Sequence, residues 1–310
     1  MKQAVIAIHG GAGTLRRADI SAEQEAAYRA TLVESLAAGE AVLARGGAAL
    51  DAVEAAVRVM EDSPLFNAGR GAVFTHDGRN ELDAAIMNGA TLEAGAIAGV
   101  TRVKNPVTAA RRVMEQSGHV LLIGSGAEKF VELAGGELVD PEYFKTDRRW
   151  GELQRALAAE TMALSEDSAL GPDRKFGTVG AVALDCHGHI AAATSTGGMT
   201  NKRYGRVGDS PVIGAGTWAE DSTCAVSCTG HGEFFIRANT AGDVAARMRY
   251  LQHDLAQAAD GAIERLGELG GRGGLVSLDG SGRVHFAFNT EGMYRGAQTV
   301  GGTAEVAIYK

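Results

Sequence analysis

A Gly177-Thr178 pair stands where a charged stretch of the chain meets the apolar run Val179–Leu184. One interpretation is an ordinary strand start, because threonine and valine both favour strands. The other is that the Gly177–Thr178 bond is cut, which makes Thr178 a new N-terminus. Its α-amine, with a pKa of about 7.7–8, can then accept the proton of the threonine hydroxyl. Gly177 offers no side chain to obstruct attack on its carbonyl, but the pair alone does not decide between the two interpretations.

Two other clusters look like known sites but have the wrong spacing. A dinucleotide-binding fingerprint that starts at Gly11 needs glycine or alanine where Arg16 stands, so a tight turn explains Gly10–Gly13 better. Cys224 and Cys228 lie four residues apart in a predicted strand, which separates them by about 13 Å and prevents them from sharing a zinc ion. We expect these cysteines to be small buried apolar residues.

The elements that must position Thr178 are predicted from the pattern of apolar residues. Two pairs of short strands surround hairpin-like turns, within Val179–Ala193 and Gly274–Phe288. Helices are predicted in pairs and do not alternate one by one with strands, which favours stacked antiparallel sheets with helices outside. From about residue 136 to 177 the chain is charged and irregular, apart from a helix near Gly151–Leu164. This stretch predicts a long exposed connector.

The composition excludes several classes of protein. The chain has 310 residues, with 43 glycines, 5 prolines and 45% hydrophobic residues, which excludes collagen and a disordered linker. A net charge of −8 argues against a nucleic-acid partner. No apolar run approaches the roughly 20 residues of a membrane span. Three cysteines, and an apolar run near the start that is too short for a signal peptide, predict a cytoplasmic protein.

Further segments rich in threonine, glycine and charge accompany the Gly-Thr pair. They are His9–Gly13, Thr194–Lys202, Gly205–Pro211, Ser227–Gly232 and Asn289–Arg295. With these motifs the chain resembles the plant-type L-asparaginase/isoaspartyl peptidase family, which belongs to the threonine-type N-terminal-nucleophile hydrolases. The resemblance extends over nearly the whole chain, and the motifs occur in the family's order.

The resemblance implies a four-layer αββα fold with two stacked, mainly antiparallel sheets. It implies a single domain over residues 1–310 that cuts itself between Gly177 and Thr178. The products are an α subunit of residues 1–177, which ends in the connector, and a β subunit of residues 178–310. Two such pairs are expected to associate as a dimer of α/β heterodimers. The implied reaction is hydrolysis of L-asparagine or a β-aspartyl (isoaspartyl) dipeptide, with release of L-aspartate through an acyl-enzyme.

The resemblance assigns the chemistry to five residues. Thr178 is the nucleophile, Thr196 orients or polarises its hydroxyl, and Asn67 helps to place its amine. The hydroxyl of Thr229 and the N–H of Gly230 stabilise the oxyanion that forms when the substrate carbonyl is attacked. No cofactor is expected to take part in these steps.

Substrate binding is assigned to the loops that follow. The guanidinium of Arg206 binds the α-carboxylate and Asp209 the α-ammonium, so that only an aspartyl side chain reaches the nucleophile. Gly232 keeps the turn beside Thr229 and Gly230 open for the substrate. Without the resemblance, a surface salt bridge between Arg206 and Asp209 would be the better interpretation. His231 stands where smaller residues are common in relatives, and it either narrows the leaving-group side or points into solvent.

Residues 60–70 correspond to a segment that binds sodium through backbone carbonyls in relatives. The carbonyls belong to Met60, Glu61, Ser63, Phe66, Ala68 and Arg70. Because such ligation depends little on side chains, a structural sodium ion with no part in the reaction is expected.

Two alternatives to this function stay open at this point. One is a glycosylasparaginase of the same fold, which cleaves a sugar–asparagine linkage and usually acts in secretory or lysosomal compartments. The other is a poorly processed homologue that acts only as an amino-acid-binding protein. Cleavage before Thr178, followed by assays on asparagine and a β-aspartyl dipeptide, distinguishes them.

Overall fold

The computed structural model describes residues 2–166 and 177–310. In this part of the chain, twelve strands form one sheet of eight strands and one of four. The strands are β1 (Val5–Gly13), β2 (Leu82–Asn88), β3 (Ala94–Val100), β4 (Leu121–Ile123), β5 (Val179–Leu184), β6 (Ile190–Thr196), β7 (Thr217–Ala219), β8 (Cys224–Gly230), β9 (Gly273–Asp279), β10 (Val284–Phe288), β11 (Gly292–Thr299) and β12 (Glu305–Tyr309). The larger sheet has the order β12-β11-β1-β5-β6-β2-β3-β4 and the smaller one β10-β9-β8-β7. Among these described strands, every neighbouring pair except β3 with β4 is antiparallel, as predicted.

Helices cover the outer faces of both sheets. The helices of the described residues are α1 (Ala22–Ala44), α2 (Ala49–Asp62), α3 (Pro106–Gln116), α4 (Gly124–Leu133), α5 (Asp147–Glu166), α6 (Gly232–Ala238), α7 (Thr240–Leu251) and α8 (Leu255–Glu268). Helix α5 contacts the segment around Gly71 and Phe74. Short 3₁₀ turns occur at Arg17–Asp19, Gly69–Gly71 and Pro141–Phe144. A capping box begins α1, because Ser21 and Gln24 each bond the other's backbone N–H with a side-chain oxygen. In the described residues, no helix is both long and apolar enough to cross a membrane.

Three clusters of apolar side chains lie between successive layers of helices and sheets. The resulting four layers confirm the predicted αββα arrangement. One packs α1, α2 and α3 on the outer face of the larger sheet. A second packs α7 and α8 on the smaller sheet. The third lies between the sheets and joins residues such as Val182 in β5 and Ala192 in β6 to Val276 in β9. Apolar residues of β5 and of the first part of β6 pack on both faces of the sheet. Val179–Leu184 and Ile190–Ala193 are therefore apolar runs without a polar–apolar alternation.

The first strand differs from the prediction. The sequence predicts that the strand ends near Ile8 and that Gly10–Gly13 form a tight turn, but β1 continues to Gly13 and pairs with β11 through a bulge between His9 and Gly11. A side chain at Gly10 would lie 2.4 Å from the Phe66 ring. Because glycine fits here, the strand can bend without ending.

The predicted exposed connector is partly buried. Phe144 and Leu153 are buried, and Arg149 donates to the carbonyl of Gly71 at 2.7 Å and to the Glu152 carboxylate at 2.9 Å. Residues 149, 152 and 153 share one face of α5. The charged groups of Arg149 and Glu152 can be buried there because they pair with each other. Residues 167–176 of the predicted connector lie outside the described residues.

Candidate active site

The β5–β6 hairpin brings Thr178 and Thr196 together. Thr178 directly precedes β5, and because Val179 pairs with Ser195, Thr196 at the end of β6 lies opposite it. The two hydroxyl oxygens are 3.2 Å apart, and both side chains are buried. The antiparallel register therefore places two residues that are eighteen positions apart within hydrogen-bond distance.

The carbonyl oxygen of Gly177 lies among three side chains. The Nδ2–H of Asn67 donates to it at 2.8 Å, and the Thr196 hydroxyl donates to it at 3.0 Å. The Thr178 hydroxyl lies 2.8 Å from the same oxygen. Asn67 is fixed in turn, because its Nδ2 donates to Gly198 O at 2.7 Å and its Oδ1 accepts from Val73 N at 2.9 Å. Charge that develops on this oxygen therefore meets donors that are already oriented.

The β1 bulge forms a wall beside the Gly177–Thr178 bond. Gly11 has φ +113°, and a side chain here would lie 3.3 Å from Gly177 Cα and 3.5 Å from Thr178 N. The next N–H, of Ala12, donates to Thr229 Oγ1 at 3.3 Å. The glycine-rich end of β1 thus contacts both the nucleophile residue and the predicted oxyanion residue, although they belong to different sheets.

Thr229 and Gly230 end strand β8. Thr229 is fully buried, and Gly230 has φ +149°. A side chain at Gly230 would lie 2.4 Å from Arg272 O, so only glycine fits this backbone. The strand then runs through His231 into α6, which begins at Gly232.

Arg206 and Asp209 meet at Gly232, but they do not form the surface salt bridge of the alternative interpretation. A side chain at Gly232 would lie 2.6 Å from Arg206 Nη2 and 3.0 Å from Asp209 Oδ1. Arg206 instead donates from Nε and Nη2 to the two oxygens of Glu233, at 2.8 Å each. Glu233 had no signal in the sequence beyond its place in the first turn of a helix. Its carboxylate fixes one edge of the guanidinium.

Asp209 is a buried carboxylate with unused hydrogen-bonding capacity. Its Oδ2 has no partner among the residues that the structure describes. Burial raises the pKa of Asp209 to about 6, although its own backbone N–H and the nearby Arg206 favour the charged form. An unpaired buried carboxylate next to a guanidinium fits a ligand that carries both an ammonium and a carboxylate.

The segment predicted to hold sodium curls back on the end of α2. The helix ends at Asp62, so the carbonyls of Met60 and Glu61 lie at its negative end. A side chain at Gly69 would lie 2.3 Å from Glu61 O, and one at Gly71 would lie 2.0 Å from Phe66 O. Two of the predicted carbonyl oxygens, Glu61 O and Phe66 O, thus lie close to the glycine backbone of this loop, and carbonyl oxygens are ligands that a hard cation prefers.

A cavity of about 670 Å³ opens beside Gly177. Gly11, Asn67, His231 and Arg272 are among the residues that line it. His231 thus borders the cavity beside Gly177.

The similarity to known proteins extends over nearly the whole chain. The family profile described as "Asparaginase" matches residues 2–308. The isoaspartyl peptidase of Salmonella typhimurium is 53% identical over 312 aligned residues, which cover 100% of both chains. The isoaspartyl peptidase of Escherichia coli is 53% identical over 100% of this chain and 97% of its own length. The plant-type L-asparaginase of Pyrococcus furiosus is 45% identical over 93% of this chain and 94% of its own.

Proposed function

The chain belongs to the asparaginase family, and we propose that it is a self-processing amidohydrolase that releases L-aspartate from β-aspartyl dipeptides and L-asparagine. Relatives that are 53% identical are named isoaspartyl peptidases and one that is 45% identical is named an L-asparaginase, which supports both substrates. One observation carries the proposal. The Thr178 hydroxyl lies 2.8 Å from the Gly177 carbonyl oxygen, and Asn67 and Thr196 donate to that same oxygen.

Self-cleavage is proposed to begin with addition of Thr178 Oγ1 to the carbonyl carbon of Gly177. The negative charge on the carbonyl oxygen is stabilised by the Asn67 N–H and the Thr196 hydroxyl. The Thr178 nitrogen takes up the hydroxyl proton as its bond to the carbonyl carbon breaks, which leaves an ester. Water then cleaves the ester to give the Gly177 carboxylate and a Thr178 residue with a free hydroxyl and a free amine.

Substrate turnover is proposed to repeat this chemistry at the new N-terminus. Arg206 and Asp209 hold the α-carboxylate and α-ammonium, and the amine of Thr178 accepts the proton of its own hydroxyl. The hydroxyl oxygen attacks the side-chain amide carbon, and the oxyanion is stabilised by Thr229 and Gly230. The protonated nitrogen leaves as ammonia or as an amino acid, and water releases L-aspartate from the acyl-enzyme. The cavity beside Gly177 has room for the leaving amino acid.

The assay that tests this function measures aspartate release from L-asparagine, β-Asp-Leu and a sugar-linked asparagine. We expect release from the first two. Release from the sugar-linked substrate alone would favour the glycosylasparaginase. A chain that stays uncut and inactive but binds aspartate would favour the amino-acid-binding protein.

A structural sodium ion remains a proposal for residues 60–70. The carbonyls of Met60, Glu61, Ser63, Phe66, Ala68 and Arg70 would hold it. Its contribution is to the shape of the loop that contains Asn67, and it takes no part in bond cleavage. Thermal unfolding with sodium chloride or with choline chloride at equal ionic strength tests this, and a higher midpoint in sodium is expected.

We also propose that two cut chains associate as a dimer of α/β heterodimers and that the protein is cytoplasmic. The edge strand β4 exposes Leu121 and Ile123, which supports association through an apolar surface. The three cysteines are free thiols, which supports a reducing compartment. Analytical ultracentrifugation measures the mass of the assembly, and cell fractionation its location.

A further inference from the structure

A chain of buried side-chain hydrogen bonds joins the two sheets behind the nucleophile. His9 Nδ1 lies 3.1 Å from Thr178 O, and His9 Nε2 lies 2.8 Å from Ser227 Oγ. Ser227 Oγ lies 2.7 Å from Thr194 Oγ1, which lies 2.7 Å from Thr217 Oγ1. All five residues are buried. The four side chains of His9, Ser227, Thr194 and Thr217 are called the inter-sheet chain below.

We propose that the inter-sheet chain holds Thr178 at a fixed distance from the oxyanion strand β8, with His9 and Ser227 as positioning residues. The proposal rests on the proposed function, because it concerns the placement of the nucleophile for that reaction. Neither His9 nor Ser227 is assigned a role by the motifs or by the comparisons. His9 acts through the backbone carbonyl of Thr178 and Ser227 acts through the ring of His9, and neither touches a reacting atom.

The hydrogen bonds that His9 makes are donated in one direction, from Ser227 to His9 and from His9 to the carbonyl oxygen of Thr178. The carbonyl oxygen of Thr178 can only accept, so His9 Nδ1 carries the proton and Nε2 accepts from the Ser227 hydroxyl. Burial lowers the pKa of His9 to about 3, although its bond to Thr178 O favours the charged form, so the ring is neutral near pH 7. The Ser227 oxygen is then free to accept from Thr194. The hydroxyls of Thr194 and Thr217 also lie 3.2 Å from Gly216 O and 3.1 Å from Ser210 O. The direction is therefore set for the bonds of Ser227 and His9, where each donor points toward Thr178 and the two bonds strengthen one another.

The inter-sheet chain fixes a distance that matters for the reaction. His9 lies on β1 and Thr194 on β6 of the larger sheet, whereas Ser227 lies on β8 of the smaller sheet. Ser227 and Thr229 are two residues apart on β8, so their side chains share one face of the strand. The His9–Ser227 bond therefore connects the backbone of the nucleophile residue to the strand of the oxyanion donors, and a shift of about 1 Å between them is expected to cost about 100-fold in rate.

Gly180 leaves the space that this connection needs. It pairs with His9 across β1 and β5, two residues after Thr178. A side chain at Gly180 would lie 1.9 Å from Ser227 Oγ and 2.5 Å from His9 Nε2. No side chain can stand here without displacing both groups, so the glycine in Thr178-Val179-Gly180 has a physical reason that the sequence did not reveal.

Ser227→Ala tests the proposal most directly, with Ser277→Ala as the matched control. Ser277 is also fully buried, lies on the neighbouring strand β9 and pairs with Val226. Among the described residues, its hydroxyl bonds only the backbone carbonyl of His285, at 3.2 Å. For each variant, kcat and KM for L-asparagine are measured per mole of cut chain, together with thermal unfolding. We expect S227A to lose about 10- to 100-fold in kcat, with KM within about twofold, because Arg206 and Asp209 are untouched. We expect S277A to keep kcat within about twofold.

His9→Asn and His9→Gln separate the two bonds of the histidine. Asparagine can keep the donor to Thr178 O but loses Ser227, whereas glutamine reaches Ser227 but loses Thr178 O. Both are expected to lose at least about tenfold in kcat, because either change breaks the connection between the sheets.

Three results would overturn the positioning role. One is a kcat of S227A within about twofold of wild type or no lower than that of S277A. The second is near-wild-type kcat in H9N, which would mean that a donor to Thr178 O is sufficient. The third is that S227A, H9N and H9Q all fail to fold while S277A folds, which would mean that the inter-sheet chain is needed for folding and does not position the nucleophile. An inactive wild-type protein would instead refute the proposed function, so the two failures are distinguishable.

Discussion

The two ends of the site differ in how completely their polar groups are hydrogen-bonded within the protein. The nucleophile end consists of Asn67, Gly177, Thr178 and Thr196. The aspartyl end consists of Arg206, Asp209 and Glu233. At the nucleophile end, the Gly177 carbonyl oxygen lies within 3.0 Å of three side-chain atoms. At the aspartyl end, Asp209 Oδ2 is buried and has no partner among the described residues.

This difference indicates that the two ends serve different events. A carbonyl with oriented donors and an adjacent hydroxyl is arranged for a reaction within the chain itself. A buried carboxylate with an unused oxygen, beside an arginine that is held along one edge, is arranged for a ligand from outside. The comparison implies that variants at the nucleophile end alter self-cleavage, whereas variants at the aspartyl end alter only the hydrolysis of substrate.

Thr178→Ala is expected to have the largest effect, because it removes the oxygen that attacks in both events. The chain should stay whole on a denaturing gel, and aspartate release from L-asparagine and β-Asp-Leu should be undetectable. Thr178→Ser keeps the hydroxyl and is the control, which should still be cut. A cut T178A chain would show that another group performs the cleavage.

Arg206→Ala should lower kcat/KM for both substrates by about 100- to 1000-fold, since it removes a charge-assisted pair of hydrogen bonds to the α-carboxylate. Self-cleavage should stay within about threefold of wild type. Arg203→Ala is the matched control, because Arg203 lies in the same loop and pairs with Glu160 at 2.9 Å. Equal loss of self-cleavage in R206A would mean that Arg206 is structural.

Asn67→Ala should slow self-cleavage by about 100-fold, the usual cost of removing one oriented donor from a developing oxyanion. Gel densitometry over time gives the rate. Asn80→Ala is the control, because Asn80 is also buried and donates to the Ala72 and Val73 carbonyls, away from Gly177. If the two variants are cut equally fast, the Asn67–Gly177 bond has no part in the cleavage.

The smallest effect is expected for the change of kcat/KM with pH that the ionisation of Asp209 causes. Its pKa of about 6, raised by burial, means that it loses its charge as the pH falls below 6 and can no longer hold an ammonium. The ratio of kcat/KM for wild type to that for Asp209→Asn should fall about tenfold from pH 7 to pH 5, because the titration of the Thr178 amine affects both proteins alike. A ratio that stays constant over this range would exclude ionised Asp209 as the ammonium ligand.

The sequence predicted the layers and the hairpin that carries the nucleophile, because both follow from local patterns. Val179–Leu184 and Ile190–Ala193 are apolar runs around a turn, and their antiparallel register follows from the short connection. The motifs also predicted that Arg206 and Asp209 lie close together, since they are three positions apart in one loop.

The rest of the site depends on contacts between distant segments, which a local pattern does not contain. The bulge at Gly11 is set by pairing with β11 and by the space beside Gly177, so the prediction of a turn at Gly10–Gly13 was wrong. The Arg206–Glu233 pair joins a loop to the first turn of α6, and His9 meets Ser227 only because the two sheets stack. Packing decides these contacts, and residue spacing does not reveal them.

The central claim is that cleavage before Thr178 creates the active enzyme, and a paired time course tests it most directly. Freshly purified chain is sampled during incubation, and each sample is divided between mass spectrometry and an aspartate-release assay on β-Asp-Leu. We expect a fragment that begins Thr178-Val179-Gly180 and an activity that rises in proportion to the cut fraction from near zero. Full activity in uncut chain, or a fragment that begins elsewhere, would contradict the account.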